Sequence, residues 1–343
     1  MFFPKKVLLE KEALNYPVGE RVYKFSREHK IPLEVLPKTV RFTAREEKPL
    51  KKFLEAKETL AVVVKKKIQF LTCKPSADYQ LPLITSCPGL CTYCYLFTNL
   101  GKTPYLRVYA NTGEIFQKAK EIINKTSKIT TFEGSATSDP VAVEPITGSL
   151  KETILFFAKN ELGRFRFTTK FTEVDSFIDL DHRFHTEIRF SINTPYIIKK
   201  YEFRTPGLKA RLEASKKVKK AGYPLGFLIA PVFIYDGWEQ DYRKLLEQLA
   251  GAMDGLFFTL EIISHRFTVR AKRNIEVLFP QHGLPLGEEN RRYQFGQFGY
   301  GKYVYDKDNF NKLKEFFYQE VPKILPQAKI LYLVYLFLTF LDV

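Results

Sequence analysis

Long hydrophobic runs are missing from this chain. No stretch of about eighteen or more apolar residues occurs, which is the length that a membrane-spanning helix needs. The first residues, MFFPKKVLLEKEAL, carry charges where a secretory signal peptide has its apolar region. We therefore expect a soluble, cytoplasmic protein with no membrane partner. The apolar segment 330–341 is interpreted as a buried strand.

Cysteine is also scarce. Only four cysteines occur among 343 residues, and Cys87, Cys91 and Cys94 lie within eight residues of one another. So few cysteines in so small a region exclude a disulfide framework and favour a metal site. The fourth cysteine, Cys73, lies outside the triplet.

Acidic residues are outnumbered by basic ones, 38 to 54, and the formal net charge is +16. A positive field of this size suits a polyanionic partner, and nucleic acid is the first candidate. The alternative is a lysine-rich solvated surface, of which the run 65–67 is an example. Composition alone leaves both interpretations open.

Short β-like runs alternate with helical patterns from Leu81 onward, which predicts parallel βαβ units. Six or seven such strands fit an incomplete TIM-type barrel, a partial (βα)6 barrel, better than a complete one. Residues 1–75 are interpreted as an N-terminal α/β extension that ends in a loop at 73–79, and residues 76–343 as the barrel. A helix is predicted at 208–221, and strands at 60–64, 105–109, 129–132, 165–169, 188–192, 224–230, 255–263 and 330–335.

Aromatic residues and glycines alternate in the segment 293–305, YQFGQFGYGKYVY. This pattern predicts a β-hairpin near the C-terminus with a glycine-containing turn. Such a hairpin is a candidate probe of DNA, although the same pattern also occurs in hairpins without a binding role.

The cysteine triplet has the spacing C-x3-C-x2-C and follows the strand-like run LPLIT. A structural zinc site needs four closed ligands, and His29 and His182 are both remote in the sequence. An iron–sulfur cluster is normally held by four cysteines, so a cluster held by three keeps one iron open for a cofactor or substrate. The spacing therefore favours a cluster over zinc.

This triplet, with an aromatic residue before its third cysteine, resembles the motif of the radical S-adenosylmethionine (SAM) superfamily. Within that superfamily, the chain resembles the spore photoproduct lyase family over most of residues 70–305. The matching segments are CKPSADYQLPL (73–83), CTYCYLFTNLGKTPYLRVYAN (91–111), FEGSATSDPV (132–141), RFSIN (189–193), AGYPLGFLIAP (221–231), HRFT (265–268) and FGYGKYVY (298–305).

The resemblance implies a DNA repair enzyme with a [4Fe-4S] cluster and SAM as cofactors. It would revert the spore photoproduct, 5-thyminyl-5,6-dihydrothymine, to two thymines after a 5′-deoxyadenosyl radical abstracts a hydrogen atom. Duplex DNA carrying the lesion would be one partner, and an electron donor such as flavodoxin or ferredoxin another. The resemblance also implies a monomer in the spore or forespore interior.

Site residues follow from the resemblance position by position. Without it, Lys170 would be interpreted as a surface lysine, and Ser138 and Ser191 as turn caps. Tyr93 and Tyr95 become candidates for hydrogen-atom relay. The cluster ligands are Cys87, Cys91 and Cys94; the SAM contacts are Tyr95, Ser138, Lys170, Ser191 and Ala230; the lesion contacts are Tyr93, Asp139, Gln297, Phe298 and Lys302.

The chain departs from the family pattern in two places. Most family members carry, within the segment matched by EGSATSD, a cysteine that donates a hydrogen atom to the product radical, and this chain has Ala136 there. Cys73 is then the remaining candidate donor, although a buried, inert role is the alternative. In the hairpin, Gln297 and Phe298 stand where the family has Arg-Tyr, so a guanidinium contact is lost.

Two other functions stay open at the level of sequence. One is a radical SAM enzyme of the same family that acts on another nucleic acid or a small substrate. The other is a DNA-binding protein whose cluster is structural.

Overall fold

A computed structural model describes residues 1–38, 40–295 and 301–334. Its strands are β1 (Lys6–Glu10), β2 (Leu33–Leu36), β3 (Thr59–Val63), β4 (Thr72–Cys73), β5 (Ala77–Gln80), β6 (Ile84–Thr85), β7 (Leu90–Cys91), β8 (Leu106–Tyr109), β9 (Thr130–Glu133), β10 (Gly163–Thr169), β11 (Thr186–Ile192), β12 (Glu202–Phe203), β13 (Leu225–Val232), β14 (Phe258–Ser264), β15 (Arg291–Phe295), β16 (Gly301–Tyr305) and β17 (Ala328–Val334).

Its α-helices are α1 (Pro17–Glu28), α2 (Pro49–Lys57), α3 (Leu96–Asn99), α4 (Thr112–Thr126), α5 (Glu144–Thr147), α6 (Ser149–Ala158), α7 (Pro195–Tyr201), α8 (Leu208–Lys220), α9 (Trp238–Met253), α10 (Val269–Leu278) and α11 (Lys307–Ile324). Two 3-10 helices cover Lys11–Asn15 and Val141–Val143. Within the described ranges, no helix combines the length and the apolar character that crossing a membrane requires.

The chain divides into two compact units, each built from segments that are separate in the sequence. The first contains Met1–Gly89, Lys102–Arg189 and Lys217–Pro224, and the second contains the described parts of Leu90–Gly101, Phe190–Lys216 and Leu225–Val343. The domain boundary that the sequence predicts near residue 75 stays a prediction.

One sheet of the first unit has the strand order β2-β1-β3-β8-β6. Every residue of β3 is buried, and β3 pairs in parallel with β1 and β8. The assignment of the strand at 105–109 to the barrel is therefore wrong. Leu106 and Val108 are buried, and Leu106 is in register with Leu60, so this strand extends the N-terminal sheet.

The other strands of the first unit run in the order β4-β5-β9-β10, followed by residues 186–189 of β11, whose residues 190–192 belong to the second unit. β5, β9 and β10 are parallel, and the rings of Phe132, Phe157 and Phe165 pack in series with centroids 5.4 Å apart. The prediction of a loop at 73–79 is wrong, because β4 and β5 form a short antiparallel hairpin there. Tyr79 packs on Phe132 and thereby adds β5 to the sheet.

Strands β13, β14 and β17 of the second unit are parallel, and the buried helix residues Tyr242, Leu245 and Leu249 contribute to the core. The predicted helix at 208–221 is confirmed as α8. The predicted hairpin is confirmed as β15 and β16, where a side chain at Gly301 would meet the Tyr293 ring. Gln297 and Phe298 lie outside the described residues, as does the end of the predicted strand at 330–341.

Candidate functional site

The first cysteine of the triplet lies in a short loop of the first unit that hydrogen bonds fix in place. Ser86, which precedes Cys87, adopts a left-handed backbone conformation with φ of 70°. Its amide donates to the carbonyl of Thr137 at 2.9 Å, and it forms a parallel bridge with Ser138. The buried Lys57 donates its Nζ hydrogen to the Cys87 carbonyl at 2.6 Å. Cys87 is thus held next to the segment that carries Ser138.

The other two cysteines lie in the second unit. β7 pairs with β12 so that Cys91 faces Glu202. The amide of Cys94 donates to the carbonyl of Cys91 at 3.1 Å, which closes a turn that leads into α3. Cys91 is buried and Cys94 is half-buried.

All four cysteines are thiols, so none is consumed in a disulfide. Among the described residues, no group of three or more His, Cys, Asp or Glu side chains is placed to bind one metal ion. A zinc ion needs ligands that converge on one point, whereas the cysteines of a cluster bind separate irons. Thiols are the donors that an iron–sulfur cluster takes, so the chemistry of Cys87, Cys91 and Cys94 fits a cluster.

Polar residues meet where β9 and β10 end in the first unit. Asp139 accepts hydrogen bonds from the Thr169 hydroxyl at 2.7 Å and from the Lys170 amide at 2.8 Å. A side chain at Gly134 would lie 2.7 Å from the Phe165 ring, so this glycine lets the loop after β9 pass closely over β10. The structure thus places the Lys170 backbone against Asp139, which directly follows Ser138.

Burial raises the pKa of Asp139 from 3.8 to about 6, and the hydrogen bonds to the Lys170 amide and the Thr169 hydroxyl oppose that rise. A carboxyl group in this state binds its proton more tightly in the folded chain than in the unfolded chain. Its contribution to stability is complete below about pH 4 and is lost as the pH rises through about 6.

Replacing Asp139 with asparagine is expected to remove this pH dependence. The two pKa values correspond to about 3 kcal/mol of unfolding free energy. Denaturant unfolding of both proteins between about pH 4 and pH 7 measures it. The stability of the unmodified protein relative to D139N should fall as the pH rises; a constant difference would contradict a proton on the folded carboxyl group.

Tyr93 lies in the turn between Cys91 and Cys94, and its hydroxyl donates a hydrogen bond to Glu202. Its ring packs on Phe233 with the centroids 5.8 Å apart. Burial first, and then the charges of Glu202 and Cys91, raise the pKa of Tyr93 well above its usual value. The phenol is therefore protonated and oriented. Tyr95, two residues later, is 57% exposed.

The remaining predicted SAM contacts lie on strands of the second unit. Ser191 is buried in β11, and its carbonyl accepts a hydrogen bond from Arg211 at 2.9 Å. Ala230 is half-buried near the end of β13. The backbones of both residues are thus held within β-strands.

Cys73 is half-buried at the end of β4, opposite Ala77. The turn that follows reaches the end of β9, because the Ser76 hydroxyl donates to Glu133 at 2.8 Å. Ala136 lies three residues after Glu133 and is half-buried. Cys73 and Ala136 thus lie in segments of the first unit that are connected through Glu133.

Two buried ion pairs went unnoticed in the sequence. Glu133 pairs with Arg189, whose side chains are 4% and 2% exposed, and Glu202 pairs with Arg211 at 2.5 Å, both fully buried. For the Glu133–Arg189 pair, the available signal was a charged residue within a strand that also carries apolar residues, as in TTFE and TEIRFSI. That signal identifies buried charges but does not identify their partners.

The hairpin presents aromatic and basic side chains. Tyr293 is 45% exposed and Phe295 is 74% exposed. Lys302 is half-buried, and burial together with the nearby Arg266 lowers its pKa to about 8. Of the predicted lesion contacts in the hairpin, Lys302 is described, and the two described exposed aromatics were not predicted as contacts.

A family model described as "Spore photoproduct lyase" matches residues 2–334. The spore photoproduct lyase of Clostridium acetobutylicum is 44% identical over 332 residues, covering 96% of this chain and 98% of that protein. The spore photoproduct lyase of Bacillus subtilis is 42% identical over 339 residues, with the same coverage.

Solved structures agree with the sequence relatives. A spore photoproduct lyase double mutant with bound AdoMet and dinucleoside spore photoproduct superimposes with a TM-score of 0.93 at 41% identity, covering 97% of this chain and 99% of that one. A single mutant with the dinucleoside spore photoproduct matches equally well. This likeness confirms the predicted fold class, an α/β partial barrel with an N-terminal extension and a C-terminal hairpin. The chain belongs to the spore photoproduct lyase family.

Proposed function

We propose that this protein is a DNA repair lyase that reverts the spore photoproduct to two thymines with SAM and a [4Fe-4S] cluster. The observation that carries the proposal is the three-cysteine loop, whose Ser86 is bridged to Ser138 beside Asp139. A homologous structure with AdoMet and the dinucleoside lesion bound supports both the cofactor and the substrate.

Cys87, Cys91 and Cys94 would hold the cluster and leave one iron open for SAM. When bound, SAM and the cluster supply the carbon radical that opens the lesion. Lys170 offers a positive charge for the SAM carboxylate, and the Ser138 and Ser191 hydroxyls offer hydrogen bonds for its polar groups. Tyr95 and Ala230 would complete the SAM contacts.

Hydrogen-atom return is assigned to Cys73, because a thiol S–H bond is the weakest that side chains offer. Tyr93 would relay the hydrogen atom and line the lesion pocket together with Asp139. The burial of Asp139 and its hydrogen bond to the Lys170 amide fix the carboxyl group next to a SAM contact.

Duplex DNA is the proposed macromolecular partner, since the +16 charge provides the electrostatic attraction. The lesion must leave the base stack to reach the chemistry. The hairpin would help, with Phe298, Gln297 and Lys302 as contacts and the exposed Phe295 as an added wedge. A monomer in the spore interior and an electron donor such as flavodoxin or ferredoxin complete the proposal.

An anaerobic assay tests this function. The reconstituted protein is incubated with SAM, dithionite and DNA that was irradiated dry. Formation of 5′-deoxyadenosine together with restored thymine is the expected result. An absence of 5′-deoxyadenosine would favour a structural cluster, and 5′-deoxyadenosine without restored thymine would favour another substrate.

Lys302 provides a separate test of DNA binding. Because its pKa is about 8, it is charged at pH 7 and largely neutral at pH 9, so affinity for duplex DNA should fall over that range. Lys302→Ala should remove this fall and should lower the slope of log affinity against log salt by about 0.9. Fluorescence anisotropy measures both, with the exposed Lys312→Ala as the control. Equal pH profiles for the two variants would argue against contact at Lys302.

A further inference from the structure

A buried ion pair lies directly behind the turn that carries Tyr93. Glu202 in β12 and Arg211 in α8 are 2.5 Å apart, and both side chains are fully buried. A buried ion pair contributes little net stability, since removing charges from water costs about as much as their attraction returns. Its position therefore calls for an explanation other than stability.

Glu202 is bound on both sides of its carboxylate. Oε1 accepts the hydrogen bond of the Tyr93 hydroxyl, and Oε2 accepts that of the Arg211 guanidinium. The backbone of Glu202 faces Cys91 across the β7–β12 ladder. The same residue thus contacts a proposed relay group through its side chain and the strand of a proposed cluster ligand through its backbone.

Arg211 connects Glu202 to other parts of the second unit. Its Nη1 donates to the Ser191 carbonyl at 2.9 Å, and its Nε donates to the Pro206 carbonyl at 2.8 Å. Its Nη2 also reaches the Thr205 hydroxyl at 2.9 Å. The rigid fork of a guanidinium suits such a task, because it holds several acceptors at fixed angles. Ser191 is a proposed SAM contact.

We infer that Glu202 is a positioning residue, which with Arg211 fixes the Tyr93 phenol and the Cys91 strand relative to Ser191. The inference rests on the proposed function, because it assigns Glu202 to the same site. A carboxylate supplies two acceptors in one plane, and glutamine supplies one acceptor and one donor. Glu202→Gln should therefore disturb either the Tyr93 contact or the Arg211 contact while it preserves the side-chain volume.

The first readout is the number of 5′-deoxyadenosine molecules formed per dinucleoside lesion restored. Tyr93→Phe and Glu202→Gln should each raise this ratio, because a displaced or missing phenol uncouples SAM cleavage from repair. The ratio of the double variant should not exceed that of Tyr93→Phe. It should therefore be about twofold or more below the ratio that two independent effects would give, as for residues in contact. Additive effects would overturn the inference.

The second readout needs no cofactor. 3-Fluorotyrosine at position 93 of the cluster-free protein should give one narrow ¹⁹F resonance, and Glu202→Gln should broaden or split it. Glu213→Gln is the matched control, because Glu213 lies on α8 with Arg211 and forms an exposed pair with Lys216 at 2.8 Å. The control should leave both readouts unchanged.

If Glu202→Gln does not fold, Arg211→Lys replaces it, since lysine keeps the charge but loses the fork. A variant that lowers the melting temperature while the ratio and the ¹⁹F signal match those of the unmodified protein overturns the inference. If the unmodified protein restores no thymine, the proposed function fails, and the ¹⁹F result still decides whether Glu202 holds Tyr93.

Discussion

Replacing Cys91 with alanine is expected to abolish both cluster binding and SAM cleavage. Cys91 is buried in β7, where Glu202 and the Cys91–Cys94 turn fix its position. The triplet supplies three thiolates, and each would bind a separate iron, so the loss of one leaves an iron without its protein ligand. Activity should fall by more than about 100-fold, beyond the loss seen when only a group supporting a metal ligand is changed.

Iron and sulfide content of the reconstituted protein, together with 5′-deoxyadenosine formation, measure the effect of Cys91→Ala. Cys73→Ala is the matched control, because it also removes one thiol but leaves the triplet intact. The control should keep iron and SAM cleavage. A Cys91→Ala protein with full iron content and SAM cleavage would overturn the assignment of the triplet.

Local patterns in the sequence predicted much of this arrangement. The spacing of Cys87, Cys91 and Cys94 indicated a cluster because all three ligands come from one loop. The apolar runs of β9, β10 and β11 identified neighbouring parallel strands, and the carboxyl ends of such strands meet at one edge. The assignment of Ser138 and Lys170 to one site, in contrast, came from the resemblance to the family and not from the strand pattern.

Features that depend on distant pairing were not predictable in the same way. The local pattern at 105–109 predicts a barrel strand. Leu106 instead pairs with Leu60 of β3, in the N-terminal sheet. The segment 73–79 contains proline and polar residues that are typical of a loop, but contact of Tyr79 with Phe132 makes it a strand. Glu202 and Arg211 carry no local motif, because their significance comes from the partners that folding provides.

Replacing Cys73 with alanine is expected to separate SAM cleavage from repair. Cys73 lies on the hairpin whose Ser76 contacts Glu133, at the start of the loop that contains Ala136. If Cys73 returns the hydrogen atom, its loss leaves 5′-deoxyadenosine formation intact, while product radicals divert to adducts. Chromatography and mass spectrometry of the dinucleoside products measure the fraction of thymine restored.

Deuterium and a restored thiol sharpen this test. Thiol hydrogens exchange with solvent, so in D2O the unmodified protein should place deuterium in the restored thymine, and Cys73→Ala should not. Adding Ala136→Cys to Cys73→Ala returns a thiol at the position where most family members carry one. This double variant should recover part of both repair and labelling, because Ala136 is half-buried in the loop after Glu133. Unchanged repair and labelling in Cys73→Ala would instead assign the donor to a group other than Cys73, because the cluster cysteines are engaged with iron.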